Sequence, residues 1–264
     1  MSISVIPLHE GIFSVGLDKK FNRISKDDLP AKGALKIALN PFLVQLDNQN
    51  VLIDAGLGVF GEEDHFAILQ ENLANQGLSE YDISAVYCSH LHYDHIGGLA
   101  HNQRGFWELS FPEASIYLSG AEWNKMKQVS DAEGPKSEFI DFLEARAELI
   151  FMDEVGTGNQ YIESKTIGGH TEFSQLIKIQ SNHQTLYMAG DVLGTRGAVN
   201  RRYAAKYDFD GKKSMHLREE LLKTAFEEEA VLMAYHDTEH PLFKLTDFDK
   251  DKGYLIQNVE KIYG

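Results

Sequence analysis

The stretch from Ser89 to Gly98 reads SHLHYDHIGG and carries four potential metal ligands: His90, His92, Asp94 and His95. Imidazole and carboxylate groups together suit zinc, manganese or iron. The apolar run before it, Ile83 to Cys88, predicts a buried strand. Just past a strand end, the histidines at i and i+2 can converge on one ion, and the Asp-His pair can turn toward a second. A solvated His-rich loop is the alternative, but such loops rarely follow an apolar strand and end in Gly-Gly.

Four side chains do not complete two metal sites, which need ions roughly 3.5–4 Å apart and a bridging group. Three later residues have a suitable context. His170 lies in a glycine-flanked turn, Asp191 follows Tyr187-Met188-Ala189-Gly190 at a predicted strand end, and His236 follows Val231 to Tyr235. Each would be weak evidence by itself. Together with the first segment, and in this order, they predict a two-metal site.

The rest of the chain predicts a layered α/β protein. The predicted strands are Ile3 to Val15, Ala38 to Leu46, Asn50 to Ile53, Ile83 to Cys88, Ala114 to Leu118, Tyr161 to Ile167, Gln175 to Ile179, Thr185 to Ala189 and, as the last, Val231 to Tyr235. The predicted helices are Glu62 to Gln76, Ser119 to Lys127, Glu138 to Leu149 and Ser214 to Glu229. Several strands end in polar residues, which is typical of a sandwich with its site along one sheet edge.

Composition narrows the class of protein. With 43% hydrophobic and 25% charged residues, the chain is an ordinary globular sequence. The net charge of -15 disfavours nucleic acid as a partner. The turn Gly156 to Asn159 is the nearest candidate for a linker and is too short, so we predict a single domain over residues 1–264. Cys88 is the single cysteine, and we interpret it as a small core residue.

No secretory signal or membrane span is recognisable, so we expect a cytoplasmic protein with no membrane partner. The expected partner is a small-molecule substrate. The oligomeric state stays open, with a homodimer as the default expectation because two-fold dimers are the commonest assembly.

These motifs resemble those of the metallo-β-lactamase superfamily. The resemblance rests on Asp54 in Ile-Asp-Ala-Gly, on the His90 to His95 segment, and on His170, Asp191 and His236. It covers nearly the whole chain and implies a four-layer αββα sandwich. It also implies that His90, His92 and His170 hold one metal, that Asp94, His95 and His236 hold the other, and that Asp191 bridges them. Asp54 would support ligands without binding metal.

Within the superfamily, two features resemble the branch of acyl-homoserine lactonases and methyl-parathion-hydrolase-like enzymes. They are Phe111 to Tyr117 with Glu122-Trp123, and Tyr207-Asp208 followed by Arg218. One departure concerns the stretch after His170, which reads Thr-Glu-Phe where many members have Thr-Pro-Gly. That departure bears on the substrate more than on the metal.

The expected reaction is hydrolysis of a small ester, lactone or related substrate by a hydroxide that bridges two divalent ions. Zinc is the first expectation for the metal, with manganese and iron open, and Asp94 is expected to orient the nucleophile. The alternatives are an iron-dependent oxygenase of a sulfur substrate and a thioesterase of the glyoxalase II type. A nuclease is disfavoured by the negative charge.

Other residues have weaker functional interpretations. Tyr207 is a candidate oxyanion donor, as is Tyr203, although packing explains most tyrosines. We interpret Arg201 and Arg202 as a solvated pair, with contact to an anionic substrate as the alternative. Three aromatic residues are interpreted either as core or as a substrate wall: Phe106, Trp107 and Phe111.

Overall fold

The structure is a computed structural model that describes residues 3–46, 49–62, 64–129, 134–152, 160–181, 184–260 and 262. The strands are β1 (Ile3–Pro7), β2 (Gly11–Val15), β3 (Phe21–Ile24), β4 (Leu35–Leu39), β5 (Phe42–Leu46), β6 (Gln49–Ile53), β7 (Ile83–Tyr87), β8 (Ala100–Gln103), β9 (Phe106–Leu109), β10 (Ser115–Leu118), β11 (Glu148–Phe151), β12 (Ile162–Thr166), β13 (Gln175–Gln180), β14 (Thr185–Met188), β15 (Val231–Met233), β16 (Leu242–Asp249) and β17 (Gly253–Asn258). The helices are α1 (His65–Ala74), α2 (Tyr93–Ile96), α3 (Gly120–Val129), α4 (Pro135–Arg146) and α5 (Gly211–Glu227). The predicted turn Gly156 to Asn159 lies outside the described residues, and the single domain stays a prediction.

Two six-stranded sheets form the centre of the fold. The first has the order β1-β5-β6-β7-β10-β11 and the second the order β12-β13-β14-β15-β16-β17. Strands β6 and β7 run parallel in the first sheet, as do β14 and β15 in the second. A small sheet of β3, β2 and β4 and a hairpin of β8 and β9 stand beside them.

The fold has four layers, two of helices and two of sheets, with an apolar cluster between each pair of neighbouring layers. Strands with alternating burial and amphipathic helices each have an apolar face that must be covered in this way. Between the sheets, Val44 and Ile53 of the first pack with Ile177 and Met188 of the second. The outer face of the first sheet is covered by side chains of α1, α3 and α4, for example Leu73, Trp123 and Phe139. The outer face of the second sheet is covered by α5 through Leu221, Leu222 and Ala225. The predicted αββα sandwich is therefore confirmed.

Four local predictions were wrong, and one of them is the single strand over Ala38 to Leu46, which is divided between β4 of the small sheet and β5 of the first large sheet. Residues 3–15 form two strands in different sheets, because the chain turns at Leu8 to Glu10, where Leu8 and Glu10 donate backbone hydrogen bonds to Pro41 and Leu39. Residue Leu149 lies in β11 and not in a helix, since it pairs with Ile116 of β10. Two strands follow β15, and their many exposed polar residues gave little apolar signal.

Within the described part of the chain, no helix combines the length and the apolar character that crossing a bilayer requires.

Candidate metal centre

The predicted ligands meet at one edge of the two sheets. The segment from His90 to His95 follows β7, Asp191 follows β14 and His236 follows β15, while His170 lies in the loop between β12 and β13. Because β6 and β7 are parallel, as are β14 and β15, the residues after these strands emerge on the same side. The fold thus brings all seven predicted ligands together.

The first triad consists of His90, His92 and His170, whose ring nitrogens converge. Nδ1 of His92 lies 3.0 Å from Nε2 of His90 and 3.0 Å from Nε2 of His170. Three imidazoles with one nitrogen each directed at a common point are a ligand set suited to zinc.

The second triad consists of Asp94, His95 and His236. Nε2 of His236 lies 3.6 Å from Oδ2 of Asp94, and Nε2 of His95 lies 3.7 Å from the same oxygen. These separations suit ligands around one ion better than direct hydrogen bonds, which are shorter.

Asp191 faces both triads with different oxygens. Oδ2 lies 3.3 Å from Nε2 of His170 in the first triad. Oδ1 lies 3.0 Å from Nε2 of His236 and 3.4 Å from Nε2 of His95 in the second. A carboxylate placed between two ligand sets in this way has the arrangement of a bridging ligand.

Two orphaned polar atoms show that the residues present fit a cation. Nε2 of His95 and Oδ1 of Asp191 are buried 3.4 Å apart, and neither makes a well-aligned hydrogen bond. An unpaired buried polar atom is costly, so native structures rarely leave one without a function. A metal ion held by the second triad and Asp191 satisfies both atoms.

The electrostatics of the two triads differ. Burial, together with the neighbouring His170, lowers the pKa of His92 to about 4. Burial also lowers the pKa of His90. In the second triad, burial opposes the charge of His95, but Asp54, Asp94 and Asp191 outweigh it and raise the pKa of His95. Lowered pKa values thus favour the neutral imidazole at His90 and His92, whereas the raised pKa of His95 favours its charged form.

The imidazoles of His95, His170 and His236 are each oriented by the other ring nitrogen, as metal-binding histidines commonly are. Nδ1 of His95 lies 2.7 Å from Oδ2 of Asp54, and Nδ1 of His236 donates to the carbonyl of Ala38 at 2.9 Å. Asp54 has a φ of 59°, a conformation that Asp tolerates better than most residues and that its fixed contacts maintain.

Asp208 is a further residue that orients a candidate ligand. From the sequence it was named only as part of the Tyr207-Asp208 motif of the lactonase branch. Its Oδ1 lies 2.9 Å from Nδ1 of His170, and its side chain is buried. Oδ2 accepts a hydrogen bond from the backbone N–H of Ala205 at 2.9 Å. The carboxylate therefore fixes both the loop and the imidazole. No spacing rule links Asp208 to His170, so the sequence carried no signal for the pair.

Two clefts open onto the centre and share His92, Tyr93, Lys136, His170 and Tyr207. The strand-side cleft, of about 440 Å³, has walls from Val15, Phe21, Leu35, Ile37, Leu57 and Phe60. The helix-side cleft, of about 480 Å³, has walls from Glu122, Lys125, Met126, Thr171, Phe173 and Phe209.

Of the tyrosine and aromatic residues with weaker functional interpretations, only some line the clefts. Tyr207 lines both, whereas Tyr203 lines neither and lies under the guanidinium of Arg218 at 4.7 Å. The aromatic residues proposed as a substrate wall are elsewhere: Phe111 is core, Trp107 packs on Phe139, and Phe106 is exposed.

The basic pair of the sequence analysis also lies outside both clefts. Arg201 and Arg202 are exposed and line neither cleft, and Nε of Arg202 lies 2.7 Å from Glu219.

Comparison with known proteins places the chain in a family. The profile described as Metallo-beta-lactamase superfamily matches residues 38–236, so the chain belongs to that superfamily. Two relatives, from Mycobacterium tuberculosis and Mycobacterium bovis, carry the name "Probable metallo-hydrolase". Each is 24% identical over an alignment of 201 positions, which covers 62% of this chain and 60% of the relative. The chain thus spans well under two thirds of the length of these curated relatives.

Solved structures share the fold. The dizinc quorum-quenching lactonase AidC, in complex with a product, superposes with a TM-score of 0.76 at 21% identity over 97% of this chain and 94% of that one. An N-acyl homoserine lactone hydrolase with N-hexanoyl-L-homoserine at its metal centre has a TM-score of 0.62 at 17% identity, over 89% of this chain and 93% of that one. The family match confirms the predicted superfamily, and the solved structures show the same fold.

Proposed function

We propose that the chain is a two-metal hydrolase that opens a lactone or cleaves a small ester. The observation that carries the proposal is the position of Asp191 between two three-residue ligand sets. Two divalent ions, with zinc as the first choice, would be held by the first triad, the second triad and Asp191. When bound, such a pair lowers the pKa of a shared water and polarises the substrate carbonyl.

The chain's own residues orient the reaction. Asp94 presents Oδ2 to the second triad and is itself fixed, because the hydroxyl of Tyr235 donates to its backbone carbonyl at 2.7 Å. A carboxylate held in this way accepts a proton from water as water attacks the acyl carbon. The ring C–O bond of a lactone then breaks, the leaving oxygen takes the proton from Asp94 to become a hydroxyl, and the new carboxylic acid releases its proton to solvent as a carboxylate.

Tyr207 is proposed as the donor to the developing oxyanion. It lines both clefts next to His92 and His170. Tyr207 is exposed, at 38%, so a substrate in either cleft can contact it. A phenol aimed at a developing negative charge accelerates acyl transfer, since the interaction strengthens in the transition state.

The size and lining of the clefts support a small organic substrate. Volumes of about 440 and 480 Å³ lie in the range of small-molecule sites. The two lactone-hydrolysing neighbours named above add support for an acyl-homoserine lactone or a related ester. We propose neither a nucleic acid nor a membrane as a partner, and we propose a homodimer on frequency alone.

Hydrolysis of N-hexanoyl-L-homoserine lactone and of a p-nitrophenyl ester tests the proposal. The protein is stripped with a chelator and then reloaded with zinc, manganese or iron, next to the variant Asp191→Asn. We expect ring opening that returns with added metal and falls at least a hundredfold in the variant, as loss of a bridging ligand requires. His101→Ala is the matched control, because His101 stacks on Phe66 and lines neither cleft. Absence of hydrolysis with every metal would overturn the proposal.

A further inference from the structure

The strand-side cleft has an unusual charge distribution for an acidic protein. Its charged lining residues are Asp94, Asp191, Lys19 and Lys136. Both carboxylates belong to the proposed metal centre, so the positive charges that remain for a substrate are those of Lys19 and Lys136. The chain as a whole has a net charge of -15 and repels anions, which makes a local pair of cations the natural means of binding one.

Neither lysine is neutralised by a carboxylate in the part of the chain that the structure describes. Lys125 of the helix-side cleft provides the contrast, since its Nζ lies 2.6 Å from Oε2 of Glu172. The helix-side cleft also contains Glu122, whose carboxyl is buried. The two clefts share Lys136 and differ in their second lysine: Lys125 of the helix-side cleft is paired with Glu172, whereas Lys19 of the strand-side cleft has no carboxylate partner among the described residues.

Lys136 occupies the position between the clefts. Its Nζ lies 4.6 Å from the centre of the Tyr93 ring, a cation–π contact that holds the ammonium at the entrance to the metal centre. Like Lys136, the residues His92, His170 and Tyr207 line both clefts. A group bound to Lys136 therefore lies within the clefts that open onto the metal centre.

The remaining walls of the strand-side cleft are apolar. Val15, Phe21 and Ile37 come from the small sheet, and Leu57 and Phe60 come from the turn after β6. Such walls bind an aliphatic or aromatic body by removing its surface from water. An uncharged apolar ligand would make no ionic contact with the two lysines.

We propose that the strand-side cleft binds amphiphilic anions, with an apolar body against its walls and one carboxylate, sulfonate or phosphate between Lys19 and Lys136. The substrate class is then an ester or lactone that carries a negative charge away from the bond that breaks. The identity of that bond rests on the proposed function, whereas binding of the anion does not.

Equilibrium binding of two fluorescent probes separates charge from apolar contact without any hydrolysis. Anilinonaphthalene sulfonate and the uncharged phenylnaphthylamine are titrated into zinc-loaded protein and into the double variant Lys19→Gln/Lys136→Gln. We expect the sulfonate to bind the variant about tenfold more weakly, or ~1.4 kcal/mol, and the amine to change by less than about twofold. The control is Lys223→Gln, an exposed residue of α5 that lines neither cleft. Equal changes for both probes, or no change for the sulfonate, would overturn the inference.

A matched pair of esters tests the same residues in turnover. The p-nitrophenyl ester of hexanoic acid and the mono-p-nitrophenyl ester of adipic acid differ in a terminal methyl or carboxylate. We expect the double variant to lower kcat/KM for the adipate about tenfold and to leave the hexanoate within about twofold, and added salt to reduce the difference. Hydrolysis of both esters with no effect of the variant on their ratio sinks the inference and leaves the hydrolase intact. Failure of both esters in native protein, with selective sulfonate binding retained, contradicts only the hydrolase.

Discussion

Nδ1 of His95 lies 2.7 Å from Oδ2 of Asp54, and neither side chain is exposed to solvent. Asp54 also accepts hydrogen bonds from the backbone N–H and the hydroxyl of Ser89, each at 2.7 Å. A single carboxylate therefore joins the end of β6 to the start of the metal-binding segment. It fixes the imidazole of His95 with Nε2 directed at Asp94 and Asp191.

We expect Asp54→Asn to weaken metal binding at the second triad about 10- to 100-fold, because an amide orients and polarises the imidazole less well than a carboxylate. Competition with a chromophoric zinc chelator measures the change. Asp141→Asn, an exposed position on α4, is the control, and circular dichroism checks that both variants are folded. Unchanged affinity in a folded Asp54→Asn protein would show that Asp54 has no role in ligation.

Asp208→Asn addresses the first triad in the same way. Its Oδ1 is 2.9 Å from Nδ1 of His170, so the substitution loosens the imidazole that completes this triad. We expect weaker binding of one of two zinc ions, with the other unaffected, in a stepwise chelator titration. If both ions weaken equally, the division into two triads is wrong.

Tyr207→Phe separates catalysis from ligation. Removal of the hydroxyl leaves the metal ligands unchanged, so we expect full zinc content and a kcat lower by about 10- to 100-fold, with little change in KM. Tyr203→Phe is the matched control, since that ring lies against Arg218 outside both clefts. A loss of zinc from Tyr207→Phe, or equal kcat for the two variants, would contradict the role of the phenol.

The buried carboxyl of Glu10 should make the free energy of unfolding depend on pH. Burial raises the pKa of its carboxyl, and the opposing contacts with His65, the Leu57 N–H and Arg23 only reduce the rise. A carboxyl whose pKa is higher in the folded protein favours folding below its ordinary value of 4.5, and this contribution is lost as pH rises through the raised value. Glu10→Gln should therefore gain stability relative to native protein across that window.

The expected gain is about 1.4 kcal/mol for each pH unit between the two pKa values. Urea denaturation of metal-free protein over a pH series measures it. Glu71→Gln, on the exposed side of α1, should show no such trend. A difference between Glu10→Gln and native protein that is constant with pH would refute the prediction.

The candidate ligands could be predicted from the sequence because all but His170 follow a strand end, and a sheet edge collects such residues. His170 was predicted from its glycine-flanked turn. The residues that orient the candidate ligands were harder to predict from the sequence. Asp208 reaches His170 across 38 positions through a loop, and no local pattern encodes that contact. The strand-side cleft was also missed, since its walls come from a small sheet whose strand β3 alternates weakly.

Metal content, measured by plasma mass spectrometry on protein purified without chelator or affinity-column metal, tests the central claim most directly. The proposed centre predicts about two zinc or manganese ions per chain in native protein and in His101→Ala, and a clear loss in His92→Ala. A single iron ion would favour an oxygenase instead. No bound metal in native protein after zinc is added, or equal metal in His92→Ala and native protein, would contradict a two-metal centre.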